Sequence, residues 1–398
     1  MAYDVARVRG LIPALGDGWI HLDASAGMQT PDQVVSAITR ALRSPQSRPG
    51  GPFPASTTIT ELEAEARNAV ADLVGGDPRG VVLGPNRAVL LERLAESVGQ
   101  TWMLGDEIVV TRLDDVANVT PWVRTAQRRG AAVQRVEIDL ESGELPVWQF
   151  DDLLDATSRV VALTAASGEL GTCVDVAAVA ERTRTIGALL VADVGAAAAY
   201  TPLDLENLGA DVIALDAAMW GGPQLGALVF RVPALLDRLT SCSLDPAARG
   251  PQRLELGPHS YPLLAGLIAS IEHLAGLDES ITGTRRGRLL GSMAALEAYH
   301  STLLDELVED LRDLDVTVLG WPERRVPLLS LTLPQVKASE VVEHLAQRGI
   351  CAIADPATQG VLASVGAAEA GGAVRIGFGH YTTRAETGAL VSALGELL

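Results

Sequence analysis

Asp211-Val212-Ile213-Ala214-Leu215-Asp216-Ala217-Ala218-Met219-Trp220-Gly221-Gly222-Pro223-Gln224-Leu225-Gly226-Ala227-Leu228-Val229-Phe230-Arg231 places two short apolar runs on either side of a Gly/Pro-rich connection. Apolar runs bounded by turn formers predict a strand, a tight connection and a returning strand. Upstream, Val81-Val82-Leu83, Ile108-Val109-Val110, Val160 to Thr164 and Ala188 to Asp193 read as further buried strands. Between them the apolar spacing turns helical, as in Leu62, Ala66, Ala69, Val70 and Leu73, over 123–129 and across Val176 to Ile186. The Pro/Gly/Ser-rich residues 44–58 read as a loop, and a long amphipathic helix is expected from roughly Thr284 to Leu314. Strands separated by helices predict an α/β fold with a doubly wound, mostly parallel sheet.

Size and composition agree with that class. The 398 residues are 48% hydrophobic with 4% aromatic, which suits a sheet buried on both faces. A net charge of -19 repels nucleic acid, and no basic stripe relieves it. Cys173, Cys242 and Cys351 are isolated, so neither a disulfide framework nor a metal knuckle follows, and a cytoplasmic compartment is expected. The first ten residues lack a signal-peptide apolar run, and the run Ile186 to Tyr200 is broken by Asp193, so no membrane span is expected. No zinc motif, P-loop or nucleophile elbow is present.

Several motifs, in order, resemble the cysteine desulfurase branch of the class V aminotransferases. Asp114-Asp115-Val116-Ala117-Asn118-Val119-Thr120-Pro121-Trp122 is similar to that family's Glu-His-His-Ala-Asn-x-x-Pro-Trp. Ser167, Gly171 and Thr172 match its Ser-Asn-x-x-Gly-Thr, and Arg375 to Glu386 matches its Arg-x-Ser-x-x-x-Tyr-Asn-Thr-x-Glu-Glu. The resemblance runs from about Ile20 to Leu398 and implies a fold-type I architecture. It divides the chain into an N-terminal arm over 1–18, a large α/β domain over 19–280 and a small C-terminal α+β domain over 281–398, entered by a long helix. It also implies a homodimer, because the family builds its sites from two subunits.

The same resemblance assigns the site. Family members end the first strand of the opening stretch in Ser-x-His-Lys, whose lysine forms a Schiff base with pyridoxal phosphate. Here those positions are Asp216, Ala218 and Met219. Lys337 is the only lysine in the chain, and arginine cannot substitute because its guanidinium stays protonated. The histidine that stacks on the pyridine ring becomes Asp115, and the glutamine three residues after Asp193 becomes Ala196. The turn before the helix at Arg87, where the family holds the cofactor phosphate, carries Asn86 and Arg87 instead of threonine hydroxyls. The segment 354–372, which would bear the desulfurase cysteine, has none.

Other candidates keep the family's chemistry. Asp193, at the end of a buried strand, has two readings: a partner for the pyridinium nitrogen or a cap of the following turn. Arg375 matches the arginine that grips the substrate α-carboxylate, and His380 and His259 adjoin matched motifs. Arg87 and Asp216 predict an ion pair across the vacated phosphate cup, with Trp220 filling the emptied ring space. The reading is therefore a repurposed or non-catalytic member without an internal aldimine, which binds a small carboxylate or other anion at Arg375 or serves as an interaction partner, with pyridoxal phosphate either held non-covalently or absent and with no metal. The alternative is an aminotransferase or lyase that holds pyridoxal or pyridoxamine phosphate non-covalently, with Asp115, Asp216 or His380 as its base. Rescue of ordinary chemistry by Lys337 ranks last.

Overall fold

The computed structural model of the protein describes residues 3–398. After β1 (Ile20–His21), the chain lays down β2 (Val81–Gly84), β3 (Glu107–Thr111), β4 (Ala132–Val136), β5 (Ser158–Thr164), β6 (Leu189–Asp193), β7 (Val212–Asp216) and β8 (Gly226–Phe230). β2 to β8 form one sheet in the order β2-β8-β7-β6-β5-β3-β4. The pairs from β4 to β7 are parallel. The Gly/Pro connection returns β8 antiparallel to β7, and β2 closes that edge antiparallel to β8. The fold is therefore α/β with a mostly parallel sheet flanked by helices.

A second sheet follows the helix Arg285–Arg312, whose first turn Thr284 caps by accepting from the Gly287 N–H. β9 (Thr317–Val318), β10 (Leu328–Thr332), β12 (Ile353–Asp355) and β13 (Ala373–Gly377) run in the order β12-β13-β10-β9, all antiparallel. β11 (Ile350–Cys351) pairs instead with β1, parallel. Leu22 accordingly packs with the C-terminal core of Leu307, Val341, Ile376 and Phe378.

Two helices begin earlier than their spacing predicts. The helix expected over 123–129 spans Val116–Arg129, because the Asp115 carboxylate accepts from the N–H groups of Ala117 and Asn118. That cap satisfies donors that would otherwise be orphaned and starts the helix before Pro121. The loop expected over 44–58 gives way at Pro54, which opens the helix Pro54–Val74 from its first position.

Arginines tie the helical layer to the sheet. Arg67, on Pro54–Val74, makes a two-pronged contact with Glu255 at 2.8 and 3.0 Å, and Glu255 also accepts from the Leu83 N–H at 2.9 Å. His259 adds a contact to the same carboxylate at 3.3 Å. Burial works against the Glu255 anion, but the hydrogen bonds and charges of His259 and Arg67 outweigh it and hold it at about 2. Its folded value is depressed, so its contribution is present above the ordinary 4.5 and lost as pH falls towards 2, a swing of roughly 3 kcal/mol. Glu255→Leu, which strands Arg67, is expected to cost about 3–5 kcal/mol in urea unfolding at neutral pH. Glu255→Gln is expected to flatten the acid limb of the stability profile.

Candidate functional site

The middle strand of the main sheet, β6, ends at Asp193, and the helices Arg87–Gly99 and Val116–Arg129 begin beside it. Carboxyl ends of parallel strands and helix N-termini are where α/β folds gather ligands. Here the chain brings its own charges there. The Arg87 guanidinium reaches Asp193 through Nη1 and Asp115 through Nη2, the latter at 2.7 Å. One planar cation thus bridges the two carboxylates.

The remaining oxygens of that cluster are bonded to backbone. Asp193 Oδ1 accepts from the Gly195 N–H at 2.8 Å, and Asp115 Oδ1 from Ala117 at 2.7 Å and Asn118 at 3.2 Å. A Cβ on Gly195 would stand 2.9 Å from Arg87 Nη1, so the glycine admits the guanidinium. Burial opposes the Arg87 cation, but Asp193 and Asp115 override it and raise its pKa further. Burial also pushes the Asp193 carboxyl above the usual range, against the pull of Arg87. Asp193 therefore both pairs with a cation and caps its own turn, and that cation is Arg87.

The expected ion pair between Arg87 and Asp216 does not form. Asp216 Oδ2 accepts only the backbone N–H of Arg87, at 3.3 Å, while its Oδ1 accepts from Ala218 at 3.3 Å. The guanidinium pairs with Asp193 and Asp115 instead. Asn86 spends its side chain capping Val89 at 2.9 Å. Trp220 does not enter the ring space either: its indole N–H donates to Ser270 Oγ at 3.1 Å, in the helix Tyr261–Ala275. Met219 is half-buried and packs against the main core.

Arg375 already has protein partners for two of its three nitrogens, while its Nε is buried without one. Its Nη1 contacts Asp355 at 3.3 Å and its Nη2 donates to the Gly168 carbonyl at 3.0 Å. His380 is buried, with Nε2 2.8 Å from the Ala199 carbonyl, and burial lowers it to about 4. It is a core histidine and does not join Arg375. His259 serves Glu255, as above, and Lys337 is exposed before the helix Ala338–Ala346. Among the described residues no cluster of three or more His, Cys, Asp or Glu could hold a metal ion, and no helix is long and apolar enough to cross a membrane.

Asp114 was not singled out by sequence, yet it supports the site from below. It accepts from the Asn118 side chain at 2.6 Å and from the Thr111 hydroxyl, and burial lifts it to about 7. Its adjacency to Asp115 was the available signal: of two neighbouring acids, one turns inward and one caps.

The sequence matches the Aminotransferase class-V family profile over residues 20–390, and the chain belongs to that family. A Mycobacterium tuberculosis (strain CDC 1551 / Oshkosh) protein described as uncharacterized protein MT3887 is 48% identical over 398 residues, covering 100% of both chains. A cysteine desulfurase of Yersinia pestis (strain Pestoides F) is 24% identical over 371 residues, 88% of each chain. The crystal structure of the Escherichia coli cysteine desulfurase CsdA superposes with a TM-score of 0.85 at 24% identity, covering 100% of both chains. That structural likeness establishes the fold.

Truncating Arg87 would leave Asp193 and Asp115 facing each other without a cation. Arg87→Met is expected to lower stability by about 3–5 kcal/mol at neutral pH, with the deficit shrinking on acidification as Asp193 takes up a proton. Adding Asp193→Asn should recover most of the loss, which chemical denaturation of the double-mutant cycle would read.

Proposed function

We propose that this chain is a non-catalytic member of the class V aminotransferase family, in which an internal ion-pair cluster replaces the cofactor site. The observation that carries the reading is the Arg87 guanidinium held between Asp193 and Asp115. By the family pattern, Asp193 is the ring-nitrogen partner and Asp115 stands where a histidine would cover the ring. A pyridine ring placed between them would need the space and the hydrogen bonds that Arg87 holds. The residues present therefore do not fit pyridoxal phosphate.

Met219 supports the same reading, as the residue at the family's lysine position. The chain's single lysine, Lys337, lies on the C-terminal sheet's side of the molecule. An anion at Arg375 would have to displace Asp355, so the retained fold is better read as a scaffold than as a carboxylate-binding enzyme. The proposed domain plan remains 1–18, 19–280 and 281–398, with β1 lent to the C-terminal part. A cytoplasmic homodimer completes the proposal, supported by the exposed Val35, Leu42 and Phe53 at and beside the helix Asp32–Arg43.

The test is titration of the purified protein with pyridoxal phosphate, followed by visible absorption and by intact mass after borohydride. The expected outcome is no bound chromophore and no mass increase, with both gained by Arg87→Ala combined with Met219→Lys. Reversible binding by the unaltered chain without a reducible adduct would replace this reading with a lysine-free cofactor enzyme. For the dimer, light scattering is expected to give twice 41.7 kDa, and Leu42→Asp with Phe53→Asp to give the monomer.

A further inference from the structure

Three histidines from three separate elements meet in the interior: His273 near the end of the helix Tyr261–Ala275, His300 in the helix Arg285–Arg312, and His380 in the turn after β13. They are 3%, 1% and 1% exposed. The His273 and His380 rings stack with centroids 6.1 Å apart. The Gly379 carbonyl, one residue before His380, accepts from His300 Nε2 at 3.1 Å.

The N-terminal arm is bound to all three of these elements. The Tyr3 hydroxyl donates to the His380 carbonyl at 2.8 Å, and its ring stacks on Tyr299, the neighbour of His300, at 5.0 Å. Arg7 Nη2 donates to the carbonyls of Gly276 and Leu277, both at 2.7 Å, just past the helix that carries His273. Arg9 reaches the Tyr381 carbonyl at 2.7 Å and the Glu386 carboxylate at 2.8 Å. Val8 and Ile12 pack into the main core. Residues 3–19 join no sheet, so the arm can leave without breaking a strand pairing.

The cluster holds no negative partner. Among the described residues none of the three rings pairs with a carboxylate within 4.0 Å. The charge that acts on them from the arm is the Arg7 cation, which itself pairs with the exposed Glu279, while Arg9 pairs with Glu386. The phenols packed nearby, Tyr3, Tyr200, Tyr299 and Tyr381, are pushed up by burial and stay neutral.

Burial lowers His273 and His300 to about 3 and His380 to about 4. His380 opposes a charge on the other two rings, and Arg7 opposes one on His273. A histidine held below its ordinary 6.5 leaves the folded state undisturbed above that pH. As pH falls from 6.5 towards 4, an open state takes up the proton that the closed one refuses, and the closed state loses ground.

We infer that the three histidines and the N-terminal arm form an acid-released clasp: on acidification the rings charge, repel one another and Arg7, and the arm undocks while the main sheet stays folded. This device is independent of whether the Arg87 site binds pyridoxal phosphate.

The test is hydrogen exchange of the full chain, read by mass spectrometry from about pH 7.5 to about pH 5 and corrected for intrinsic exchange. Residues 3–12 are expected to lose protection as pH falls, while β5, β6 and β7 keep theirs. One histidine that charges only in the open state raises the opening constant at about pH 5 by about thirty-fold. His273→Phe, at a ring whose Nε2 has no hydrogen-bond partner, is therefore expected to lower arm opening there by that factor, with neutral-pH protection the same or higher. His300→Gln, which keeps a donor for the Gly379 carbonyl, is expected to act alike; if His273→Phe fails to fold by circular dichroism, the His300→Gln result decides. Arm protection independent of pH, simultaneous loss of protection in arm and sheet, or unchanged acid sensitivity in either folded variant would overturn the assignment.

Discussion

The arrangement at the end of β6 depends on one guanidinium. Asp193 is buried at the centre of the sheet, and Asp115 must face the same space because its other oxygen caps a helix. Two carboxylates converging there repel each other, and Asp193, 2% exposed against 42% for the Asp115 side chain, loses hydration that the Gly195 N–H only partly returns. Arg87 resolves the conflict because its planar fork can bond both at once, where a lysine's compact ammonium could not span them as a plane. Gly195 is the steric condition, since any side chain there would press on Nη1. Gly226 plays the same part on the backbone side, where a Cβ would come within 2.4 Å of the Arg87 nitrogen.

The same residue type holds the layers together elsewhere. Arg67 joins the helix Pro54–Val74 to the segment bearing Glu255, and Arg285 contacts Glu65, Asp72 and Glu272 on two other helices. A chain with one lysine among its basic residues can make most of its ion pairs multidentate, which supplies geometry as well as charge. The exposed pairs contribute little individually. The buried Arg67–Glu255 and Arg87–Asp193 pairs matter through the penalty for breaking them.

How far the sequence could be read follows from the range of the forces involved. The alternation of apolar strands and amphipathic helices is local, so the sheet and its helices were legible, and Val176–Ile186 and Arg285–Arg312 fell where their spacing placed them. The start of the helix Val116–Arg129 was missed because the Asp115 cap acts through a side-chain contact that periodicity does not carry. The partners of Arg87 were misassigned for a related reason. Asp216 is the acid suggested by the strand end facing the cup, but Asp193 and Asp115 come within the guanidinium's reach only when the ends of β2, β3 and β6, which are not adjacent in the sheet, meet at one edge. His380 and Trp220 sit beside site motifs in sequence, while their side chains turn into the core, a choice made by packing.

The sequence by itself determined the family, the mostly parallel sheet, and the chemical inventory: a methionine after β7, acids at 115, 193 and 216, and a single remote lysine. Those properties are set by residue identity and short-range spacing. Only the tertiary structure decided which charges meet, that Arg87 bridges Asp115 and Asp193 while Asp355 occupies Arg375, and that His273 stacks on His380, whose carbonyl Tyr3 holds. Those groups come from segments far apart in the chain. Their pairing depends on distances of a few ångströms that packing alone sets.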